Sequence, residues 1–275
     1  RKRRQLKESY KRIISGSIYG LIFILSLYNN LTFALLTFTF GIICTYEFNR
    51  LLQQRGGKLY ILFTVFYAFF ILLENYFNIN EIHNSFFNDL KVTMVILTIF
   101  ISIFLLRDLF SSKDFPKFLS KKYYNFIFYI SCAFIFIFLI GNLNGEYSPS
   151  IILGCFIIIW VNDSFAYMIG KRFGKQKLFY SISPHKTIEG FLGGLFFSCL
   201  SASFVSAFIN DSFTTQNWLI TAIIISVFGT LGDLIESKFK RELKVKDSGS
   251  ILPGHGGMLD RLDSIIFATP YIYFY

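Results

Sequence analysis

A polar stretch near the carboxyl end, residues 237–263 (SKFKRELKVKDSGSILPGHGGMLDRLD), combines residue types that suit phosphate chemistry. It begins with five cations, continues through a glycine-rich turn and ends with Asp260, Arg261 and Asp263. Because the two aspartates are three residues apart, a helix starting near Met258 would place them on one face, with Cβ atoms about 5–6 Å apart. One or two carboxylates plus substrate phosphates are a common ligand set for magnesium. The stretch therefore predicts a site for a polyphosphate bound together with a divalent metal.

Three glycines, Gly254, Gly256 and Gly257, lie between the cations and the carboxylates. Glycine lets the backbone approach a ligand closely, and N–H groups at the start of a helix form an anion site. Each feature also has a plainer explanation, because aspartates cap helices and basic loops commonly flank membrane spans. Their coincidence in one short stretch favours a functional site over these structural roles.

The order of residues in this stretch resembles the signature of the phosphatidate cytidylyltransferase family, also called CDP-diacylglycerol synthases. The matching residues of this signature segment (237–263) are Ser237-x-Phe-Lys-Arg241, Lys246-Asp247-x-Gly249 and Leu252-Pro253-x-His255-Gly-Gly-Met258-x-Asp260-Arg261-Leu262-Asp263. The resemblance implies an enzyme of phospholipid biosynthesis that joins CTP and phosphatidate, giving CDP-diacylglycerol and pyrophosphate. It also implies magnesium as the cofactor.

A helix-and-loop segment upstream resembles the same family. The family has an Asp-x-x-Ala-Tyr helix, which matches 163–167, followed by a Ser-Pro-x-Lys-Thr-x-Glu-Gly loop, which matches 183–190. Family members often have Lys where this chain has His185, so no catalytic role is assigned to His185. Asp163 lies about 10 Å from the end of its apolar run. An ionisable residue at that depth is costly, which favours a function over a structural pairing with a neighbouring helix.

Asp233 and Glu236 form a further pair of carboxylates, with the spacing that places both on one face of a helix. Pairing with Lys238 or Lys240 is the structural alternative. The Gly-Asp-Leu-x-Glu-Ser segment of the family matches 232–237 and favours a functional role for Asp233.

Together these resemblances imply a set of site residues. The groups implied to act on the reacting phosphates are Asp233, Asp260, Asp263, Lys186 and Arg261. The three aspartates among them would bind magnesium, and a second metal ion is left open. The groups implied to bind substrate are Asp163, Ser183, Thr187, Glu189, Ser237, Lys240, Arg241, Lys246, Asp247, His255, Gly256 and Gly257. The lipid phosphate is itself a competent nucleophile, so positioning and charge neutralisation would supply catalysis without an activated side chain.

The elements that must position these residues are strongly apolar. Of the 275 residues, 53% are hydrophobic and 20% aromatic, and the mean hydropathy is +0.52. These values indicate an all-α, polytopic helical membrane protein rather than a soluble domain. Some candidate spans are shorter than the ~20 residues that a bilayer normally requires. The nine apolar runs are 13–27, 31–46, 59–73, 92–106, 124–140, 151–170, 190–209, 218–235 and 262–275.

We divide this single membrane unit into N-terminal transmembrane helices (1–122), with a basic start, and catalytic transmembrane helices (123–275). No small-residue cleavage site follows the first apolar run, so we expect a retained helix rather than a signal peptide. The four cysteines lie inside apolar runs, without the spacing of a metal site or a disulfide framework.

Positive charge orients the predicted bundle. The net charge is +10, but the cations fall between apolar runs without a base-reading motif, which argues against nucleic acid and for membrane lipids as partners. With the N-terminus inside, the inside segments hold every Lys and Arg except Lys91. We therefore expect the N-terminus and the active site to face the cytoplasm, at the inner membrane of a bacterium.

Two other functions stay open at this point. A CTP-dependent kinase of lipid alcohols would use a similar polar surface but transfer the γ-phosphate, releasing CDP rather than pyrophosphate. A transporter of an anionic solute would carry charges deep in several spans, whereas deep charge is here confined essentially to Asp163. The sequence does not show which residues recognise cytosine, and it leaves a homodimer open.

Overall fold

The computed structural model describes residues 2–52, 56–79, 85–110, 126–209, 213–251 and 256–275. Within these ranges the chain forms nine α-helices and one two-stranded sheet. Each helix overlaps one of the nine apolar runs, because a run in lipid can satisfy its backbone polar groups only by hydrogen bonding within itself. The helices are α1 (Lys2–Ser26), α2 (Asn30–Leu51), α3 (Lys58–Ile79), α4 (Ser85–Phe110), α5 (Cys132–Ile140), α6 (Pro149–Phe173), α7 (Ile188–Phe208), α8 (Thr215–Glu242) and α9 (Leu259–Phe274).

Six of these helices are long and apolar enough to cross a membrane, namely α2, α3, α4, α6, α7 and α8. Shorter apolar segments cover the end of α1 and residues 126–140, where a π-helical turn (Phe126–Ser131) continues into α5. The last helix, α9, has 16 residues and contains Pro270. An all-α membrane protein is therefore confirmed, whereas nine crossings stay a prediction.

A short β-hairpin lies between α6 and α7, where we expected a loop. Its strands β1 (Lys177–Phe179) and β2 (Ser183–Thr187) pair antiparallel, with Lys177 opposite Thr187. At the end of β2, the Thr187 side chain accepts a hydrogen bond from the Gly190 backbone N–H (3.1 Å) and so caps α7. The hairpin thus leads directly into α7 and fixes the position of Lys186.

Helices α6 to α9 approach one another closely at glycines. A Cβ atom at Gly190 would lie 2.7 Å from the Ala166 carbonyl oxygen of α6, and one at Gly232 would lie 2.7 Å from the Asp263 carbonyl oxygen of α9. Neither position has room for a side chain. Helix α9 also contacts α2, α4 and α5. Of these, α2 and α4 belong to the predicted N-terminal part, which therefore supports the element that carries the end of the signature segment. The division at residue 122 stays a prediction.

Lys91, the cation that the charge pattern leaves on the other side, is paired with a carboxylate. Its ammonium lies 3.0 Å from Glu74 Oε2, and the two side chains are 15% and 5% exposed. This ion pair lies where α3 ends and α4 begins. It therefore marks the end of the bundle opposite to the end where α2 stops.

Candidate active site

A cavity of about 770 Å³ opens where the ends of α6 and α8 meet the starts of α7 and α9. Strand β2 forms part of its wall. All five groups predicted to act on the reacting phosphates lie in this one cavity. The predicted site residues that line it are Asp163, Lys186, Thr187, Asp233, Lys240, Asp247, Asp260, Arg261 and Asp263.

Lys186 and Asp233 form an ion pair between β2 and α8. The Lys186 ammonium lies 2.5 Å from Asp233 Oδ2, and the two side chains are 26% and 35% exposed. Ser237, one turn further along α8, donates a hydrogen bond from its hydroxyl to Asp233 Oδ1 (3.2 Å). The two family-like segments therefore meet directly, through side chains that solvent still reaches.

Lys240 forms a second, more buried pairing between α8 and α9. Its ammonium donates hydrogen bonds to Glu236 Oε2 (2.9 Å) and to Asp260 Oδ1 (2.6 Å). The side chains of Lys240, Glu236 and Asp260 are 12%, 1% and 7% exposed. Each charge depends on its partners, because an unpaired buried charge is strongly unfavourable. Lys240 thus holds the end of α8 against the start of α9.

Asp260 also binds the backbone of its own loop. Its Oδ2 accepts hydrogen bonds from the backbone N–H groups of Gly257 (2.8 Å) and Ser248 (3.0 Å). Gly256 has a φ of +91°, a left-handed conformation that favours glycine, and a Cβ atom there would lie 3.0 Å from Asp260 Oδ2. Backbone geometry therefore favours glycine at 256, independently of any ligand.

Glu47, near the end of α2, is a buried residue beside this loop that the sequence analysis missed. Its carboxylate accepts hydrogen bonds from the backbone N–H groups of Met258 (3.0 Å) and Leu259 (2.8 Å) and from the Ser248 hydroxyl (3.1 Å). The one local signal is an acidic residue directly after the apolar run 31–46, which is weaker than the position of Asp163 inside its run. That signal says nothing about the partners of Glu47.

The start of α9 is not a free anion site, contrary to the expectation from the glycine-rich turn. The backbone N–H group of Gly257 donates to Asp260, and those of Met258 and Leu259 donate to Glu47. The protein's own carboxylates thus occupy the positive end of this helix. Substrate phosphates would therefore be bound by side chains of the cavity.

Asp163 and Asp263 reach the cavity from α6 and α9. Asp163 is exposed and accepts a hydrogen bond from Asn162 Nδ2 (3.3 Å), while Asn162 Oδ1 accepts one from the Ser198 hydroxyl of α7 (3.3 Å). Asp263 is only 7% exposed, and its Oδ1 accepts a hydrogen bond from the Ser264 backbone N–H (2.7 Å). The two aspartates therefore differ in access, with Asp163 the more open to a ligand.

Two predicted substrate-binding residues hold the hairpin instead of lining the cavity. Glu189 Oε1 accepts a hydrogen bond from the Gln176 backbone N–H (3.1 Å). Arg241 Nε donates a hydrogen bond to the Ile182 carbonyl oxygen (3.5 Å). Through these contacts both residues support the wall that carries Lys186.

The remaining predicted binding residues that the structure describes do not line the 770 Å³ cavity. Lys246 lines a separate cavity of about 320 Å³, together with Arg50 and Asp247, and Asp247 is shared between the two cavities. His255 lies outside the described residues. Predicted residues that do not line the 770 Å³ cavity also include Ser183, Ser237, Gly256 and Gly257.

The carboxylates around the cavity suit a hard cation such as magnesium, which prefers oxygen ligands. In the part of the chain that the structure describes, however, no three His, Cys, Asp or Glu side chains converge as a ready-made metal site. Asp233 and Asp260 are instead paired with Lys186 and Lys240. Magnesium commonly takes one or two carboxylates and completes its shell with water and substrate phosphates. The donor set therefore fits a metal that binds together with a nucleotide.

Comparison with known proteins identifies the family. A sequence model of the Cytidylyltransferase family matches residues 10–275. The phosphatidate cytidylyltransferase of Bacillus subtilis (strain 168) is 33% identical over 265 residues, which cover 96% of each chain. The protein of the same name from Staphylococcus saprophyticus is 36% identical over 241 residues, 78% of this chain and 89% of the relative. The one from Staphylococcus aureus (strain COL) is 46% identical over 142 residues, 52% of this chain and 53% of the relative. Because the match extends over nearly the whole sequence, the chain belongs to the cytidylyltransferase family.

Proposed function

We propose that the protein transfers the CMP group of CTP to phosphatidate, giving CDP-diacylglycerol and pyrophosphate. The relatives described above are named phosphatidate cytidylyltransferases. The observation that carries the proposal is the ion pair between Lys186 and Asp233. It joins the Ser-Pro-x-Lys-Thr segment to the helix that enters the signature segment, in a cavity large enough for a nucleotide.

The mixed charge of the cavity supports a nucleotide bound with a metal. Its cations would neutralise a triphosphate, whereas its carboxylates would repel one unless a metal cation lay between them. A triphosphate without a metal would be attracted by the cations but repelled by the carboxylates. The lining cations are Lys171, Lys177, Lys186, Lys240 and Arg261, and the lining carboxylates are Asp163, Asp233, Asp247, Asp260 and Asp263.

In the proposed reaction a phosphatidate oxygen attacks the α-phosphorus of CTP in line. The new phosphorus–oxygen bond forms as the bond to the pyrophosphate oxygen breaks, and pyrophosphate carries away the displaced charge. Lys186 and Arg261 would offset the negative charge on the phosphate oxygens during the transfer. Asp233, Asp260 and Asp263 do not converge on one point by themselves, so they would hold magnesium only together with the bound triphosphate, and the metal would supply charge neutralisation of the phosphates. The side chains position the reactants and need not abstract a proton.

We further propose nine membrane crossings with the cavity on the cytoplasmic side of a bacterial inner membrane. The cavity lies between the ends of α6 and α8 and the starts of α7 and α9, and α2 ends beside the adjoining loop between α8 and α9. Arg50, Lys171 and Lys240, which belong to the predicted inside segments, lie in the last turns of α2, α6 and α8 at this end, and this placement supports the orientation. A lipid substrate could then keep its acyl chains in the membrane while its phosphate enters the polar cavity.

Two labelled nucleotides test the reaction. Purified protein in detergent is incubated with magnesium, phosphatidate and CTP labelled at either the α- or the γ-phosphate. We expect α-label in a chloroform-soluble product and γ-label in pyrophosphate. Asp233→Asn, purified in parallel, should lose about 10²-fold or more of this activity, which excludes a contaminating host enzyme. Label from γ-labelled CTP in the lipid would contradict the proposal and indicate a kinase.

A further inference from the structure

The carboxylate of Glu47 lies behind the cavity, between the end of α2 and the start of α9. Its Oε1 accepts a hydrogen bond from the Met258 N–H (3.0 Å), and its Oε2 accepts hydrogen bonds from the Leu259 N–H (2.8 Å) and the Ser248 hydroxyl (3.1 Å). Glu47 is fully buried and does not line the 770 Å³ cavity. The side chain therefore acts on protein groups and not on substrate.

Two glycines show how closely the signature segment encloses this carboxylate. A Cβ atom at Gly249 would lie 2.3 Å from Glu47 Oε1, and one at Gly257 would lie 2.6 Å from Glu47 Oε2. A side chain at either position would collide with Glu47 unless its carboxylate left these hydrogen bonds or the backbone moved. The backbone thus approaches the carboxylate from both sides of the loop between α8 and α9.

Asp260 connects this buried contact to the cavity. Ser248, whose hydroxyl binds Glu47, also donates its backbone N–H to Asp260 Oδ2 (3.0 Å). Leu259, whose N–H binds Glu47, directly precedes Asp260 in the first turn of α9. A displacement at Glu47 would therefore shift Asp260 and the cavity residues that follow it.

We propose that Glu47 is a positioning residue for the cytidylyl transfer, which sets the start of α9 and thereby the placement of Asp260, Arg261 and Asp263. The role depends on the proposed function, since it is defined by turnover of that reaction. A carboxylate suits it because both oxygens accept hydrogen bonds and its charge lies at the positive end of α9. An amide would keep one acceptor oxygen and would turn its NH₂ group towards a backbone donor.

Glu47→Gln tests this role, with Glu74→Gln as the matched control. Glu74 is also a buried carboxylate, 4% exposed, but it pairs with Lys91 at the opposite end of the bundle. We expect Glu47→Gln to lower kcat at saturating CTP and magnesium by about 10-fold or more, because misplacing catalytic groups by ~1 Å can cost about 10²-fold. Glu74→Gln should leave kcat close to that of the parent protein.

A reporter thiol measures the position of the loop independently of turnover. Met258 is 3% exposed, and of the four native cysteines only Cys199 is not buried. Met258→Cys combined with Cys199→Ser therefore gives one reporter whose reaction with a polar maleimide should be slow. Adding Glu47→Gln should speed that reaction several-fold, and adding Glu74→Gln should not. Parent-like turnover in Glu47→Gln, or lost turnover with an unchanged labelling rate, would overturn the positioning role.

Ser248→Ala provides the comparison if Glu47→Gln cannot be recovered as a folded protein. It deletes the hydroxyl that binds Glu47 and leaves both the charge and the backbone donor in place. We expect faster labelling at position 258 and a lower kcat, and parent values for both would overturn the proposal. A parent protein that forms no CDP-diacylglycerol would refute the proposed function instead, while the labelling rates would still decide whether Glu47 fixes the loop.

Discussion

Replacing Lys240 by methionine should destabilise the protein more than replacing Lys186, although both lysines pair with a cavity aspartate at a similar distance. Lys240 lies between Glu236 and Asp260, whose side chains are 1% and 7% exposed. Removing it leaves two buried carboxylates without a cation, and breaking a buried pair in this way typically costs about 3–5 kcal/mol. Asp233, the partner of Lys186, is 35% exposed, so solvent screens its charge and the expected loss is about 0–1 kcal/mol.

The same two variants should separate stability from turnover. Stability is measured as the fraction of monodisperse protein left after heating in detergent, which gives an unfolding midpoint temperature for each variant. Turnover is measured as the rate of CDP-diacylglycerol formation at a temperature well below both midpoints. Lys186→Met should lose about 10²-fold or more in turnover with little change in midpoint, because its ammonium faces the cavity. Adding Glu236→Gln to Lys240→Met should restore part of the lost stability, since it removes one uncompensated charge. Equal midpoints for the two lysine variants, or no such recovery, would refute the reasoning from burial.

Asp260→Asn should lower turnover and stability, because it weakens the bond to Lys240, and it should raise the magnesium concentration that gives half-maximal turnover. Lys244→Ala, at an exposed position outside the cavity, should leave turnover, stability and the magnesium requirement close to the parent values. An unchanged magnesium requirement in Asp260→Asn would argue against metal binding by Asp260. Single cysteines in place of Glu146 and Lys177 should react with an impermeant thiol reagent from opposite sides of the membrane, with position 177 labelled from the cytoplasm. Labelling of both from the same side would contradict the proposed topology.

The existence of the helices could be predicted from the apolar runs, but their ends could not. Helix α4 covers Ser85–Phe110 and so extends beyond both ends of the predicted run 92–106. Polar residues can continue a helix past an apolar run, because helical hydrogen bonds are formed by the backbone. Helix α6 begins at Pro149, a residue that fits the first turn of a helix. The β-hairpin gave no usable pattern, since strands of three and five residues are too short for a clear alternation.

The chemical groups of the site could be predicted, but their partners could not. Resemblance to the family selected Asp233 and Asp260, which the fold places in one cavity. The pairing of Asp233 with Lys186 depends on how α8 meets β2, and the pairing of Asp260 with Lys240 depends on how α8 meets α9. The sequence does not show either contact. Glu47 was missed for the same reason, because its contacts are with residues about 200 positions further along the chain. No local pattern encodes a contact of that kind.

The lysine pairs show how a cavity lined with carboxylates can be stable before substrate binds, and their unequal burial sets the order in which they can open. The pair between Lys186 and Asp233 is partly exposed, so Lys186 can exchange its aspartate for a phosphate at little cost. Lys240 cannot move away without leaving Glu236 and Asp260 buried and unpaired. Of the two proposed magnesium ligands that pair with a lysine, Asp233 should therefore be released more readily than Asp260 when a nucleotide enters, while the contact between Lys240 and Asp260 should continue to hold α9 in place.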